Sequence, residues 1–297
     1  MEKDDDKTNA DGNVSRRDFT ALSVAAGLAV TAGTMPAGAA LAVTESDVMI
    51  KTPDGVCDAA FIRPTTGTHP GVIVWTDIFG LRPSFRDLGK RLAGEGYSVL
   101  VPNPFYRTAK SPVVEDASTF DFNDPANRAK TGAWTGPINQ PGAIERDAAA
   151  FVAFLDAQKE VNTAKKIGTQ GYCMGGPLVF KTAATVPARI GAGATFHGGG
   201  LVTDKPDSPH LLAPKMKSRM YIAIAASDDS KQPDAKDKLK AAFAAANVPA
   251  EVTVYDGTIH GWTVRDMPKQ DGKPIYNPPD AERAWGNLLS LYKSTIA

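Results

Sequence analysis

The residues best suited to do chemistry are the five from Gly171 to Gly175, Gly-Tyr-Cys-Met-Gly. Gly-x-Cys-x-Gly is the pattern of a nucleophile elbow, a turn between strand and helix so tight that its central side chain projects into open space. The flanking positions must be glycine because a Cβ there would meet the neighbouring strand and helix. A thiol at the tip becomes a strong nucleophile when an imidazole stands beside it. The imidazole needs a buried carboxylate to fix its tautomer. Asp229 follows an apolar run that ends at Ala226, and His260 follows one that ends at Tyr255, so both are candidates for these roles beside Cys173. Asp228 is the rival acid. The developing oxyanion needs two backbone N–H groups. One is that of Met174, and Ile78, in the loop Thr76–Gly80, supplies the other. Without partners, the pentapeptide would be only a small buried cysteine beside a glycine turn.

The surrounding elements are of the kind that would hold such a site. Val48–Ile50 and Cys57–Ile62 flank Pro53-Asp54-Gly55, which predicts an antiparallel hairpin at a sheet edge. Gly71–Trp75 and Tyr97–Val101 are continuous apolar runs, as expected of strands buried on both faces. Helical spacing appears over 84–94, 144–157, 177–184, 234–245 and 280–292, and further strands over 166–170, 190–196, 220–226 and 250–255. This alternation predicts an α/β fold, a mainly parallel sheet with helices on both faces, whose ligands bind at the carboxyl ends of the strands. Cys173, Asp229 and His260 all fall at such ends. Their chain order, nucleophile then acid then base, is that of α/β-hydrolases. Residues 108–140 are polar with little periodicity and read as a long loop, with Phe120, Phe122 and Trp134 available to shape a lid. His197, at a strand end before Gly198-Gly199-Gly200, reads as a structural histidine.

The chain has 297 residues and a formal net charge of zero, with 42% hydrophobic and 22% charged residues. This is soluble globular composition, and its neutrality gives no support to a nucleic-acid partner. The four histidines are scattered and the two cysteines form no CxxC, so no metal cluster is expected. Residues 1–42 differ from the rest. Ser15-Arg16-Arg17-Asp18-Phe19 precedes a short Ala/Gly-rich apolar run and then Pro36–Ala42. This resembles a twin-arginine export signal, with cleavage after Ala42 or, second, Ala39. The run is short and weakly apolar for a membrane span. The expectation is a signal over 1–42, a mature domain over 43–297, recognition by the twin-arginine translocation machinery, and a periplasmic or secreted protein. Cys57 and Cys173 are both expected free.

Over roughly 45–295 the chain resembles the dienelactone hydrolases (carboxymethylenebutenolidases), a branch of the α/β-hydrolase superfamily. The resemblance rests on Asp77-Ile78-Phe79-Gly80, Val101-Pro102 with Tyr106-Arg107, Gly171–Gly176, Asp229 with Pro233, and His260-Gly261. It implies a cofactor-independent monomer in which a Cys-His-Asp triad cleaves a small-molecule ester or lactone through a thioester. It favours Asp229 over Asp228 by the proline spacing. It further implies that Asp77 helps activate Cys173 where relatives have a glutamate. Arg107, with Tyr106 and Arg265, would then hold a substrate carboxylate. The competing readings are a non-catalytic binding protein on the same fold and a broad-specificity carboxylesterase.

Overall fold

The hairpin comes first. β1 (Val43–Thr52) and β2 (Gly55–Pro64) pair antiparallel along their full length, from Val43 opposite Pro64 to Thr52 opposite Gly55. A computed structural model describes residues 40–297, so the expected signal lies outside the described residues except for its last three. Six more strands follow: β3 (Gly71–Trp75), β4 (Ser98–Pro102), β5 (Ile167–Tyr172), β6 (Ile190–Phe196), β7 (Arg219–Ala225) and β8 (Ala250–Tyr255). The sheet order is β1-β2-β4-β3-β5-β6-β7-β8. β2 meets β4 antiparallel, and every pair from β4 to β8 is parallel. Every residue of β3, β4 and β5 is buried, which is why β3 and β4 read as unbroken apolar runs rather than alternating ones.

Parallel neighbours require crossovers, and helices supply them. They are α1 (Pro83–Gly94), α2 (Pro125–Ile138), α3 (Ala143–Asp156), α4 (Gly175–Thr185), α5 (Ala226–Lys231) and α6 (Ala235–Ala245), and α7 (Pro278–Thr295) follows the last strand. One face of the sheet packs Trp75 and Ile222 against Phe151 of α3, Val179 and Phe180 of α4, and Phe243 of α6. The other packs Val74 and Tyr172 against Phe85 and Leu92 of α1 and Leu288 and Tyr292 of α7. The two apolar layers lock the middle strands, so the ends of β3, β5, β6, β7 and β8 form a fixed rim. Among the described residues no helix is long and apolar enough to cross a membrane, and no group of acidic, His and Cys side chains is placed to hold a metal ion.

Two departures from the expected elements matter. Residues 108–140 are not one loop. Asp124 caps α2 by accepting the Ala126 N–H, with Pro125 at the first turn. The helix lacks an apolar stripe, with only Thr131 and Ile138 buried, and so gives no periodic signal. The second departure is α5, a short helix that starts directly at the end of β7 and carries both candidate acids.

Candidate active site

Three glycines let backbone segments meet where Cys173 sits. A Cβ on Gly171 would lie 2.2 Å from the Gly175 carbonyl oxygen, so the elbow closes only without one. A Cβ on Gly175 would lie 2.6 Å from the Trp75 oxygen and 2.7 Å from that of Thr76, which brings the elbow against the end of β3. A Cβ on Gly176 would lie 2.7 Å from Gly198 Cα, which seats the loop after β6 beside it. Cys173 has φ 51°, a left-handed conformation that costs an L-residue on the order of 1–3 kcal/mol and recurs at functional sites. Its peptide is tied down: its N–H donates to the Phe196 oxygen at 3.1 Å, and its own carbonyl accepts from Gly176 N–H at 3.0 Å. The thiol is half-buried, whereas Cys57 is fully buried, its sulfur 3.4 Å from the Asn103 carbonyl oxygen.

His260 meets Cys173 on one side and a carboxylate on the other. That carboxylate belongs to Asp228, whose Oδ2 lies 2.7 Å from His260 Nδ1. Asp229, the acid expected from the proline spacing, is turned away and paired with Lys236 at 2.8 and 2.9 Å. The reason is α5. Consecutive helical residues point about 100° apart, so residues 228 and 229 of one helix cannot both face the imidazole. The histidine loop is laced to the start of this helix: His260 N–H donates to Ser227 Oγ at 2.9 Å, and Ser227 N–H to the Thr258 oxygen at 3.2 Å. Burial works to lower the His260 pKa, but hydrogen bonds to Asp228 and Cys173 and their negative charge outweigh it and bring it up to about 10. The ring is therefore a proton reservoir at neutral pH.

A second histidine stands against the first. The His197 ring is 5.0 Å from that of His260, edge to face, and Nε2 is 2.9 Å from Thr263 Oγ1. Burial, and then the neighbouring His260 charge, press its pKa well below the usual imidazole value, so it is neutral. Its left-handed φ of 41° places it at the end of β6 beside the elbow.

The loop after β3 is equally well defined. Gly80 N–H donates to the Asp77 carbonyl at 3.1 Å and Phe79 N–H to Asp77 Oδ1 at 2.9 Å. The N–H groups of Ile78 and Met174 are not used by the turn, loop and cap hydrogen bonds of the described residues. Asp77 does not serve Cys173 as expected. It is fully buried, and both of its oxygens are taken by Arg82, at 2.7 and 3.0 Å. Phe120 and Phe122 pack on Phe79, with ring centroids 5.1 and 5.5 Å away, so the segment before α2 covers this loop. Trp134 of α2 packs on Phe105 at 5.8 Å.

The expected carboxylate clamp is also elsewhere. Arg107 donates to Asp54 at 2.7 Å and to both oxygens of Asp147 at 2.8 and 2.9 Å. Tyr106 Oη donates to Asp147 at 2.7 Å and lies 2.7 Å from Thr52 Oγ1. Both residues thus pin the β-hairpin turn to α3, and their polar groups are occupied by protein. Arg265 stacks 5.9 Å over Tyr276 and lines a cavity of about 480 Å³ between α1 and α7, with Phe85, Tyr172 and Trp285. A second cavity of about 400 Å³ touches His260 and Asp228 directly and has Gly198–Gly200, Ile224 and Leu239 in its wall. Ser227, Arg82 and Asp266, which pairs with Arg82 at 2.7 Å, carried no signal in the sequence: each acts through a partner brought close only by the fold.

The model of the dienelactone hydrolase family matches residues 57–296. A Methylorubrum extorquens protein bearing the name "Putative carboxymethylenebutenolidase" is 28% identical over 96% of this chain and 94% of its own length. An Escherichia coli protein of the same name is 26% identical over 88% and 94%. Among solved structures, a dienelactone hydrolase-like promiscuous phosphotriesterase from metagenomic libraries superposes with a TM-score of 0.69 at 23% identity, over 86% of this chain and all of that one. The likeness gives the fold, that of the α/β-hydrolases.

Proposed function

The chain belongs to the dienelactone hydrolase family, and we propose that within it Cys173, His260 and Asp228 form a triad that hydrolyses a carboxylic ester or lactone through a thioester. The observation that carries this reading is the alignment of three side chains on one rim. A strained cysteine stands at the elbow tip, an imidazole beside it has a pKa brought up to about 10, and a carboxylate lies 2.7 Å behind that imidazole.

Cys173 Sγ attacks the acyl carbon as thiolate, its proton held on His260. The carbonyl π electrons move to oxygen, and the oxyanion accepts from the N–H groups of Met174 and Ile78. As the tetrahedral species collapses, the C–O bond to the alkoxide breaks and His260 gives that oxygen its proton. Water then attacks the thioester with His260 as base, and the Sγ–C bond breaks to release acid and thiolate. Asp228 stays ionised throughout, fixing Nδ1–H toward itself and leaving Nε2 for the transfers. No step calls for a cofactor. The test is Cys173→Ala assayed on aryl-ester and lactone panels. Turnover should be lost with the melting temperature little changed, and retained turnover would remove the assignment.

Export by the twin-arginine route is the accompanying proposal. Leu41 N–H donates to the Gly94 oxygen at 2.8 Å and Thr65 N–H to the Ala42 oxygen at 2.9 Å. These bonds belong to the folded domain, which favours cleavage after Ala39 over Ala42. Intact mass of the exported protein decides between the two sites, and a full-length mass would contradict both.

A further inference from the structure

Among the described residues, Arg82 carries a buried guanidinium that the mechanism does not use. Arg82 is 1% exposed, yet it lies between two carboxylates carried by different loops. Its Nη1 and Nη2 donate to Asp77 at 2.7 and 3.0 Å, and its Nε and Nη2 to Asp266 at 2.7 and 2.8 Å. Nη1 also reaches the Gly80 carbonyl at 3.3 Å, and the guanidinium lies against the rings of Phe79 and Phe85. Asp77 immediately precedes Ile78. Asp266 is six residues past His260.

The pair of Asp77 and Arg82 alone would be a local ring within one loop, free to move with it. Asp266 fastens that ring to the loop that carries the histidine. Ile78 is held from both neighbours, because the Asp77 carbonyl accepts from Gly80 and the Asp77 carboxylate from Phe79. The direction of the Ile78 N–H is thus set by Asp77, and the place of Asp77 by Arg82 and Asp266. A planar fork with donors on two edges is what this geometry needs; an ammonium cannot span both carboxylates in this way. We infer that Arg82, anchored by Asp266, is the positioning residue of the oxyanion loop, holding the Ile78 N–H in register with the Cys173–His260 pair. This rests on the proposed thioester mechanism.

A second reaction of the same cysteine separates this role from general support. Alkylation of Cys173 by iodoacetamide displaces iodide at a saturated carbon and forms no oxyanion. It senses Cys173 and His260 but not the Ile78 N–H. His260 keeps its own ties to Asp228 and Ser227 whatever happens at Asp266. In Asp266→Ala, kcat for an aryl ester should fall about ten- to hundred-fold with KM within about three-fold, while the alkylation rate and its pH profile stay within about two-fold of wild type. Arg82→Lys should show the same split, and Asp266→Glu, which keeps the carboxylate, should recover most of kcat. Should Asp266→Ala lose its cooperative unfolding transition, Asp266→Asn is read in its place. An unchanged kcat in the folded variant would overturn the inference, as would alkylation that falls in step with kcat. Failure of the mechanism itself would appear separately, as turnover that survives Cys173→Ala.

Discussion

Two charged clusters sit at the carboxyl ends of the strands, and they are used differently. Around Arg107, every strong group has a protein partner: Asp54 and Asp147 hold the guanidinium, and Tyr106 is held by Asp147 and Thr52. Around Cys173, hydrogen-bonding capacity is left over: the thiol is half-buried, and the Ile78 and Met174 N–H groups are not used by the loops. A saturated cluster holds a fold together. A cluster with unspent donors and a strained cysteine keeps capacity for a ligand. By this measure the expected substrate clamp at Arg107 is a structural tie, and the unspent hydrogen-bonding capacity lies past the ends of β3 and β5.

Substitutions can break this contrast, and the largest effect belongs to the unsaturated cluster. Asp228→Ala should lower kcat/KM by about three orders of magnitude or more, because the imidazole loses both its tautomer and its compensating charge. Asp229→Ala should lower it no more than about three-fold, since that carboxylate serves Lys236. A larger loss at Asp229 than at Asp228 would reverse the assignment. Gly175→Ala comes next. Its Cβ would fall 2.6 Å from the Trp75 oxygen, so the elbow must back away from the loop holding Ile78. A fall in kcat of about a hundred-fold is expected, beyond any loss of melting temperature.

Arg107→Ala sharpens the contrast from the other side. It strands Asp147, whose side chain is 1% exposed, without its cation. Loss of about 3 kcal/mol in urea unfolding is expected, with kcat/KM on a neutral ester within about two-fold once the protein is folded. A further effect is in pH dependence. The His260 pKa is raised in the fold to about 10, against 6.5 as its reference value. The protonated form is therefore favoured in the native state. Its stabilising contribution is complete below about pH 6.5 and is lost as pH rises through about 10. The stability difference between wild type and His260→Gln should shrink across that window, and a difference that grows with pH would contradict the ion-paired imidazole.

Much of this was legible before the fold was known, for physical reasons. The elbow around Cys173 is readable because such a turn needs glycines at fixed offsets, and the place of His260 past a strand end because an apolar run stops just before it. Continuous runs gave β3 and β4, and helical spacing gave α1 and α3. The carboxylate beside His260 differs by one position from the one expected because the six-residue α5 has no apolar face to announce it, and the rotation of that helix chooses between Asp228 and Asp229. Asp77 and Arg107 were misread because a charged side chain says nothing in sequence about which opposite charge it will meet. Arg82 meets Asp266 across 184 residues of chain. α2 had a cap but no stripe, and the cap alone, Asp124 before Pro125, was the signal available.

If Cys173 is the nucleophile, activated by His260 and Asp228, the acyl group must pass through its sulfur. The most direct measurement is peptide mass mapping after rapid acid quench of the enzyme with an activated aryl ester. An acyl group is expected on the peptide that contains Cys173, formed within a turnover and cleaved by hydroxylamine, with much slower formation in Asp228→Ala. Turnover without any acyl group on Cys173, or an acyl group on another residue, would contradict it.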